Sequence, residues 1–130
     1  MPTDLVRVVI ADDHEAALSA LTRILSHEFN LVGTAKNGKE AVDATTLLKP
    51  DVVILDIQMP IMNGFEAART ILSLDSATRN VFITAVADSD YVRAALSLGA
   101  SGFVLKSRAV LDLPHAIRLA MLGQSFVSPI

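Results

Sequence analysis

The sequence predicts an α/β domain: a doubly wound, five-stranded parallel sheet with helices on both faces. Three observations carry that prediction. Short β-branched runs alternate five times with segments of helical periodicity, and parallel strands require such crossovers. One run, Val52-Val53-Ile54-Leu55, is apolar at every position, as expected of a central strand covered on both faces. The chain has 130 residues, 52% of them hydrophobic and 19% charged, which suffices for one core without staples.

The strands are expected at Val6–Ala11, Leu31–Ala35, Val52–Leu55, Val81–Thr84 and Phe103–Leu105, with Arg7 and Gly33 interrupting the first two runs. In the first helix Leu18, Leu21, Ile24 and Leu25 recur at three- and four-residue spacing and form one apolar stripe. Ala41, Thr45 and Leu48 do the same in the second, and Ala67, Ile71 and Leu74 in the third. The fourth spans Tyr91–Leu98 and stops at Gly99, suited to a left-handed C-terminal cap. The fifth is expected to start near Asp112, placing Pro114 in the first turn, where a missing N–H costs little. It carries Leu113, Ile117, Ala120 and Met121 and ends at Gly123. Residues 124–130, with Pro129 among them, read as a frayed tail or the start of a linker. The sequence contains no internal repeat and no low-complexity tract.

Charge and composition exclude several classes. With 11 Lys+Arg against 14 Asp+Glu the net charge is −3, which argues against duplex binding by this chain alone. Zero cysteines rule out disulfides, a thiol catalyst and thiolate zinc, and fit a reducing compartment. Met1-Pro2-Thr3-Asp4 lacks the basic start of a secretory signal, and no uncharged stretch approaches the ~18 apolar residues of a membrane span. A soluble cytoplasmic protein with no membrane partner is expected.

In an open parallel sheet, ligands collect at the carboxyl ends of the strands. Strand one ends at Asp12-Asp13, strand three at Asp56, strand four at Thr84 and strand five at Lys106. Clustered carboxylates raise one another's pKa unless a cation intervenes. A hard ion such as Mg²⁺ resolves the repulsion and keeps positions open for water and phosphate oxygens. A metal and a lysine opposite an aspartate suit an incoming phosphoryl group, with the aspartate as nucleophile. The competing reading is a set of helix caps. For Asp13 alone it is an equal alternative, but it accounts poorly for all five positions.

These residues resemble the receiver domain of two-component response regulators. The matching pieces are Asp12-Asp13, Leu55-Asp56-Ile57-Gln58-Met59-Pro60, Met62-Asn63-Gly64, Thr84-Ala85 and Gly102-Phe103-Val104-Leu105-Lys106. Asn37-Gly38-Lys39-Glu40-Ala41 and Gly99-Ala100 match as well, so the resemblance runs from residue 6 to about 122. It implies the flavodoxin-like receiver fold with strand order 2-1-3-4-5, and a receiver (phospho-acceptor) domain over residues 1–123. It further implies Asp56 as phosphate acceptor, with Mg²⁺ held by Asp12, Asp13, Asp56 and the backbone carbonyl of Gln58. Lys106 would pair with Asp56 and then with the phosphoryl oxygens, while Thr84 and the Ala85 N–H bind the phosphoryl group. Phe103 would be the switch aromatic, turning inward as Thr84 moves, in a place where tyrosine is frequent.

The implied partner is a sensor histidine kinase, and the implied output surface is helix four, strand five and helix five, with room for a homodimer. The closing pattern Gly123-Gln124-Ser125-Phe126-Val127-Ser128-Pro129 resembles receivers joined to a LuxR-type helix-turn-helix domain. On that resemblance residues 124–130 begin a linker, and DNA is contacted only through a C-terminal domain outside this chain. A stand-alone receiver acting by protein–protein interaction is the alternative.

Other readings are weaker on the residues. A Mg²⁺-dependent phosphohydrolase with an aspartyl nucleophile needs a second acid two residues later, where Gln58 stands. A flavodoxin-like cofactor binder needs a phosphate-cradling loop after strand one, where this chain is acidic. The five intact site residues speak against a degenerate receiver used only for docking, a reading that an assay decides. Gly33–Lys39 matches phosphate-loop spacing, but Glu40 replaces the hydroxyl residue, so Asn37-Gly38 reads as a helix-opening turn. Of His14, His27 and His115, only His14 lies near the acidic site, and Met59 and Met62 read as packing residues. Ser107 follows Lys106 in place of the proline common in this family, and Val86 cannot orient an attacking water.

Overall fold

The computed structural model describes residues 5–75 and 77–129; Met1–Asp4, Ser76 and Ile130 lie outside the described residues. In chain order the elements are β1 (Arg7–Ala11), α1 (Glu15–Leu25), β2 (Asn30–Ala35), α2 (Gly38–Leu48), β3 (Val52–Asp56) and α3 (Gly64–Leu74). There follow β4 (Arg79–Thr84), α4 (Ser89–Ser97), β5 (Gly102–Leu105), a 3₁₀ turn (Lys106–Arg108), α5 (Ala109–Met121) and β6 (Phe126–Val127). All strand pairings are parallel, in the order β2-β1-β3-β4-β5-β6.

Alternation along each strand divides the core in two. Val9, Ala11, Val53, Leu55, Phe82 and Phe103 point to one face, where Ala41, Ala67, Ile71 and Ala95 bring α2, α3 and α4 onto the sheet. Val8, Ile10, Val52, Ile54, Val81, Ile83 and Val104 point to the other, against Leu21 and Leu25 of α1 and Leu113, Ala116 and Ile117 of α5. β3 lies between β1 and β4, and all five of its residues are buried.

Three helices, α2, α3 and α4, begin where an N-cap side chain answers the open backbone donors. Asn37 caps α2, accepting the Glu40 N–H at 2.8 Å, which settles the Gly33–Lys39 spacing as a turn. Asn63 and Glu66 form a reciprocal capping box on α3. Asp88 caps α4. Gly99 takes φ +75 after α4, the left-handed backbone its position required. At Gly64 the reason is proximity: a Cβ would lie 2.2 Å from the Asp56 carbonyl oxygen, so α3 can start directly beneath β3 only with glycine.

Two expectations are corrected. The sheet has a sixth strand, because the segment after α5 does not fray: Gly102 pairs with Phe126 and Phe103 with Val127. The Ser128 N–H then donates to the Phe103 carbonyl at 2.8 Å, and the Ser128 side chain is buried. The fifth helix begins at Ala109 rather than near Asp112, so Pro114 lies inside it. The 3₁₀ turn runs straight into α5, and a 2.7 Å bond from Arg108 to Asp112 fixes the first turn. Pro114 removes one helical bond, to Val110, which is exposed. The Lys106–Ser107 peptide is trans. Among the described residues, no helix is long and apolar enough to cross a membrane.

Candidate functional site

The sheet order sets β1, β3, β4 and β5 side by side, so the residues at their carboxyl ends meet along one edge. Asp56, Asp13, Thr84, Ala85 and Lys106 line one cleft of ≈ 240 Å³ together with His14, Gln58 and Val86. Asp12 is wholly buried at its back. Lys106 reaches across: its Nζ lies 2.8 Å from Asp12 Oδ2 and 3.4 Å from Asp56 Oδ2.

Each carboxylate has a distinct environment. Asp12 accepts the His14 N–H on Oδ1 at 2.9 Å, so Asp12 satisfies the entry to α1. Asp13 does no capping, and its Oδ1 is buried with no hydrogen bond. The Lys106 contact with Asp12 Oδ2 is a charge contact, since that oxygen also receives no well-directed hydrogen bond. Burial, with the neighbouring Asp12 charge second, pushes the Asp56 carboxyl up to about 6, although Lys106 pulls the other way. Burial also draws the Lys106 ammonium down, but Asp12 and Asp56 outweigh it and hold it above its usual value.

One ammonium facing three carboxylates in a desolvated cleft leaves excess negative charge. One oxygen of each of Asp12, Asp13 and Asp56 and one nitrogen of His14 lie within 4.8 Å of one another. Asp12 Oδ2 and Asp13 Oδ1, on two of these residues, are buried without a hydrogen-bond donor. Such a predominantly oxygen donor set fits a hard divalent cation.

Thr84 is buried, and its Oγ1 accepts the Val86 N–H at 3.1 Å, leaving the hydroxyl proton for another acceptor. Phe103 is also wholly buried, packed into the core under α4, so in this structure the aromatic ring is already inward. His14 comes closer than its place in the sequence suggested, with Nδ1 3.2 Å from Asp13 Oδ1 and 3.4 Å from Asp12 Oδ1. His115 instead stacks edge-on against Phe126. Sequence reasoning missed Tyr91, whose hydroxyl accepts a 3.1 Å bond from Gln58 Nε2 and so ties the loop after β3 to α4. No local motif links residues so far apart in the chain.

Comparison with known proteins identifies the family and agrees with the fold. The sequence model of the response regulator receiver domain matches residues 8–118. The response regulator GacA of Pseudomonas viridiflava is 33% identical over 127 residues, covering 96% of this chain and 59% of GacA. The chain thus spans about three fifths of the length of the curated relatives it matches. The signal receiver domain of NarL from Mycobacterium tuberculosis superposes with a TM-score of 0.88 at 34% identity, covering 94% of this chain and 100% of that one. A two-component response regulator of the LuxR family from Aurantimonas sp. SI85-9A1 gives a TM-score of 0.92 at 30% identity, covering 97% and 91%. This chain belongs to the response regulator receiver domain family.

Proposed function

We propose that the chain accepts a phosphoryl group on Asp56 from the phosphohistidine of a sensor histidine kinase. In that transfer an Asp56 carboxylate oxygen forms the new bond to phosphorus, the phosphorus–nitrogen bond breaks, and the imidazole leaves with the electron pair. The observation that supports this most directly is the Lys106 ammonium lying between Asp12 and Asp56 at the mouth of a shared cleft. It partly offsets the nucleophile's charge and stands ready to pair with the incoming phosphoryl oxygens. The Thr84 hydroxyl and the Ala85 N–H supply donors on the side of β4. Asp12, Asp13, Asp56 and the Gln58 carbonyl would hold Mg²⁺. When bound, that ion neutralises charge on the carboxylates and the phosphoryl oxygens.

The output is a shift between two conformations, biased by contacts from Thr84 and Lys106 and read at the face of α4, β5 and α5. Similarity to a LuxR-family regulator favours transcription control, with DNA bound by a further domain of a longer protein. Incubation with acetyl phosphate and Mg²⁺, followed by intact mass measurement, tests the acceptor role. One added phosphoryl group is expected on the wild type and none on Asp56→Asn. Equal labelling of both would refute the assignment.

A further inference from the structure

A network of four hydrogen bonds links Ser128, just after β6, with the end of β5, the turn that carries Lys106 and the start of α5. Ser128 Oγ accepts the Leu105 N–H at 3.1 Å and donates to Asp112 Oδ2 at 2.7 Å. The same Asp112 oxygen accepts from Arg108 Nε at 2.7 Å. The Ser128 N–H donates to the Phe103 carbonyl at 2.8 Å. Leu105 and Arg108 bracket Lys106 in the chain, so Leu105, Ser128, Asp112 and Arg108 close a ring around the lysine's backbone. Ser128 is 1% exposed and Asp112 6%, so water has little access to the Ser128 hydroxyl and its partners while the ring is closed.

We propose that Ser128 and Asp112 are positioning residues for Lys106, so that seating of the β6 segment and phosphoryl binding at Asp56 are coupled. This rests on the phosphoacceptor reading above. Unseating Ser128 strips a partner from the buried Leu105 N–H and from Asp112 at once, which frees the 3₁₀ turn at its Leu105 end and leaves the Arg108–Asp112 pair without its buried support. Lys106 must then be ordered when the phosphoryl group arrives, which weakens binding. Linkage requires the reverse effect with the same factor: a ligand gripped by Lys106 must hold the β6 segment more firmly in place. Whatever chain follows residue 128 is thereby connected to Asp56 through backbone, without passing through α4.

The test uses BeF₃⁻ with Mg²⁺ as the phosphoryl mimic and NMR as the readout. In the wild type, ligand saturation should slow hydrogen exchange at the Ser128 amide by about three- to tenfold. The BeF₃⁻ midpoint, read at the Ile57 and Lys106 amides, should be weaker in Ser128→Ala by up to that factor, since the backbone bond to Phe103 survives, and weaker also in Asp112→Asn. Ile71→Val, a stability loss in the opposite core, should leave the midpoint unmoved, which separates positioning from general destabilisation. Site amides that respond to BeF₃⁻ while Ser128 exchange stays constant would overturn the coupling and leave the acceptor reading intact. An unchanged midpoint in Ser128→Ala would do the same. No response at the site amides would overturn both. Should Ser128→Ala fail to fold, the wild-type exchange comparison decides alone.

Discussion

At Asp56 the price of function is visible as a carboxyl that ionises reluctantly. Its folded pKa of about 6 stands above the ordinary aspartate value of ~3.9. The folded state therefore binds this proton more tightly than the unfolded chain, and stability falls as pH rises from ~4 to ~6. Above that window the penalty is complete. Asp56→Asn removes it, so in chelator the variant should be more stable than the wild type at pH 8, with the gap closing by pH 4. Allowing for solvent at the cleft mouth, the gain is on the order of 1–2 kcal/mol, a few degrees in melting temperature. Thermal melts at the two pH values check this, and parallel pH profiles would contradict it. Asp13 offers a complementary case, since its Oδ1 is buried and has no donor. Asp13→Ala should weaken Mg²⁺ binding by on the order of tenfold or more, measured by titration. A matching affinity would show that Asp12 and Asp56 suffice. These acidic residues were legible in the sequence because each sits where an apolar run ends. Tyr91 was not, because its bond to Gln58 spans the gap between two elements and leaves no local pattern.

Element by element, boundaries were legible wherever a cap or a buried stripe marked them. Asn37 announced α2, the Ala67 and Ile71 spacing announced α3, and the all-apolar run announced β3. The start of α5 was hidden because Val110 and Leu111 are exposed there and break the expected stripe. β6 was hidden for a different reason. Two residues are too few to show alternation, and their place is fixed by tertiary bonds to Ser101 and Phe103. Glycines separate local from tertiary demands in the same way. Gly99 has a positive φ but nothing within 4 Å of an added Cβ, so Gly99→Ala should cost only the backbone strain, ~1 kcal/mol. At Gly64 the added carbon would meet the Asp56 carbonyl at 2.2 Å, and α3 would have to lift from β3. Gly64→Ala should therefore cost ~3 kcal/mol or more and slow phosphorylation by displacing the backbone of Asp56, the proposed acceptor. Urea unfolding of the two variants measures the contrast; equal losses would mean that α3 moves freely.

Across the whole molecule, β5 is one of the strands that join both cores to the site. Phe103 points into the core under α4, Val104 into the core under α5, and Lys106 follows directly into the acidic cleft. A displacement at the end of β5 is felt on both faces, because close-packed cores transmit small shifts rather than absorbing them. Thr84 stands in the same relation to α4, one loop upstream of Asp88. Asp56, not Lys106 or Thr84, is the proposed nucleophile, so removing either should still leave Asp56 some capacity to take a phosphoryl group. What should be lost is the biased equilibrium, since only differential contacts in the two states can shift it. With acetyl phosphate and Mg²⁺, wild-type amides over residues 89–122 should show a coherent set of NMR shifts. In Lys106→Ala and Thr84→Ala that set should shrink to less than about half at equal phosphorylation, each variant having lost one of two contacts. Shifts of full size in both variants would mean that the α4, β5 and α5 face is driven through the Gln58–Tyr91 bond instead, and Tyr91→Phe would then be the variant that silences it.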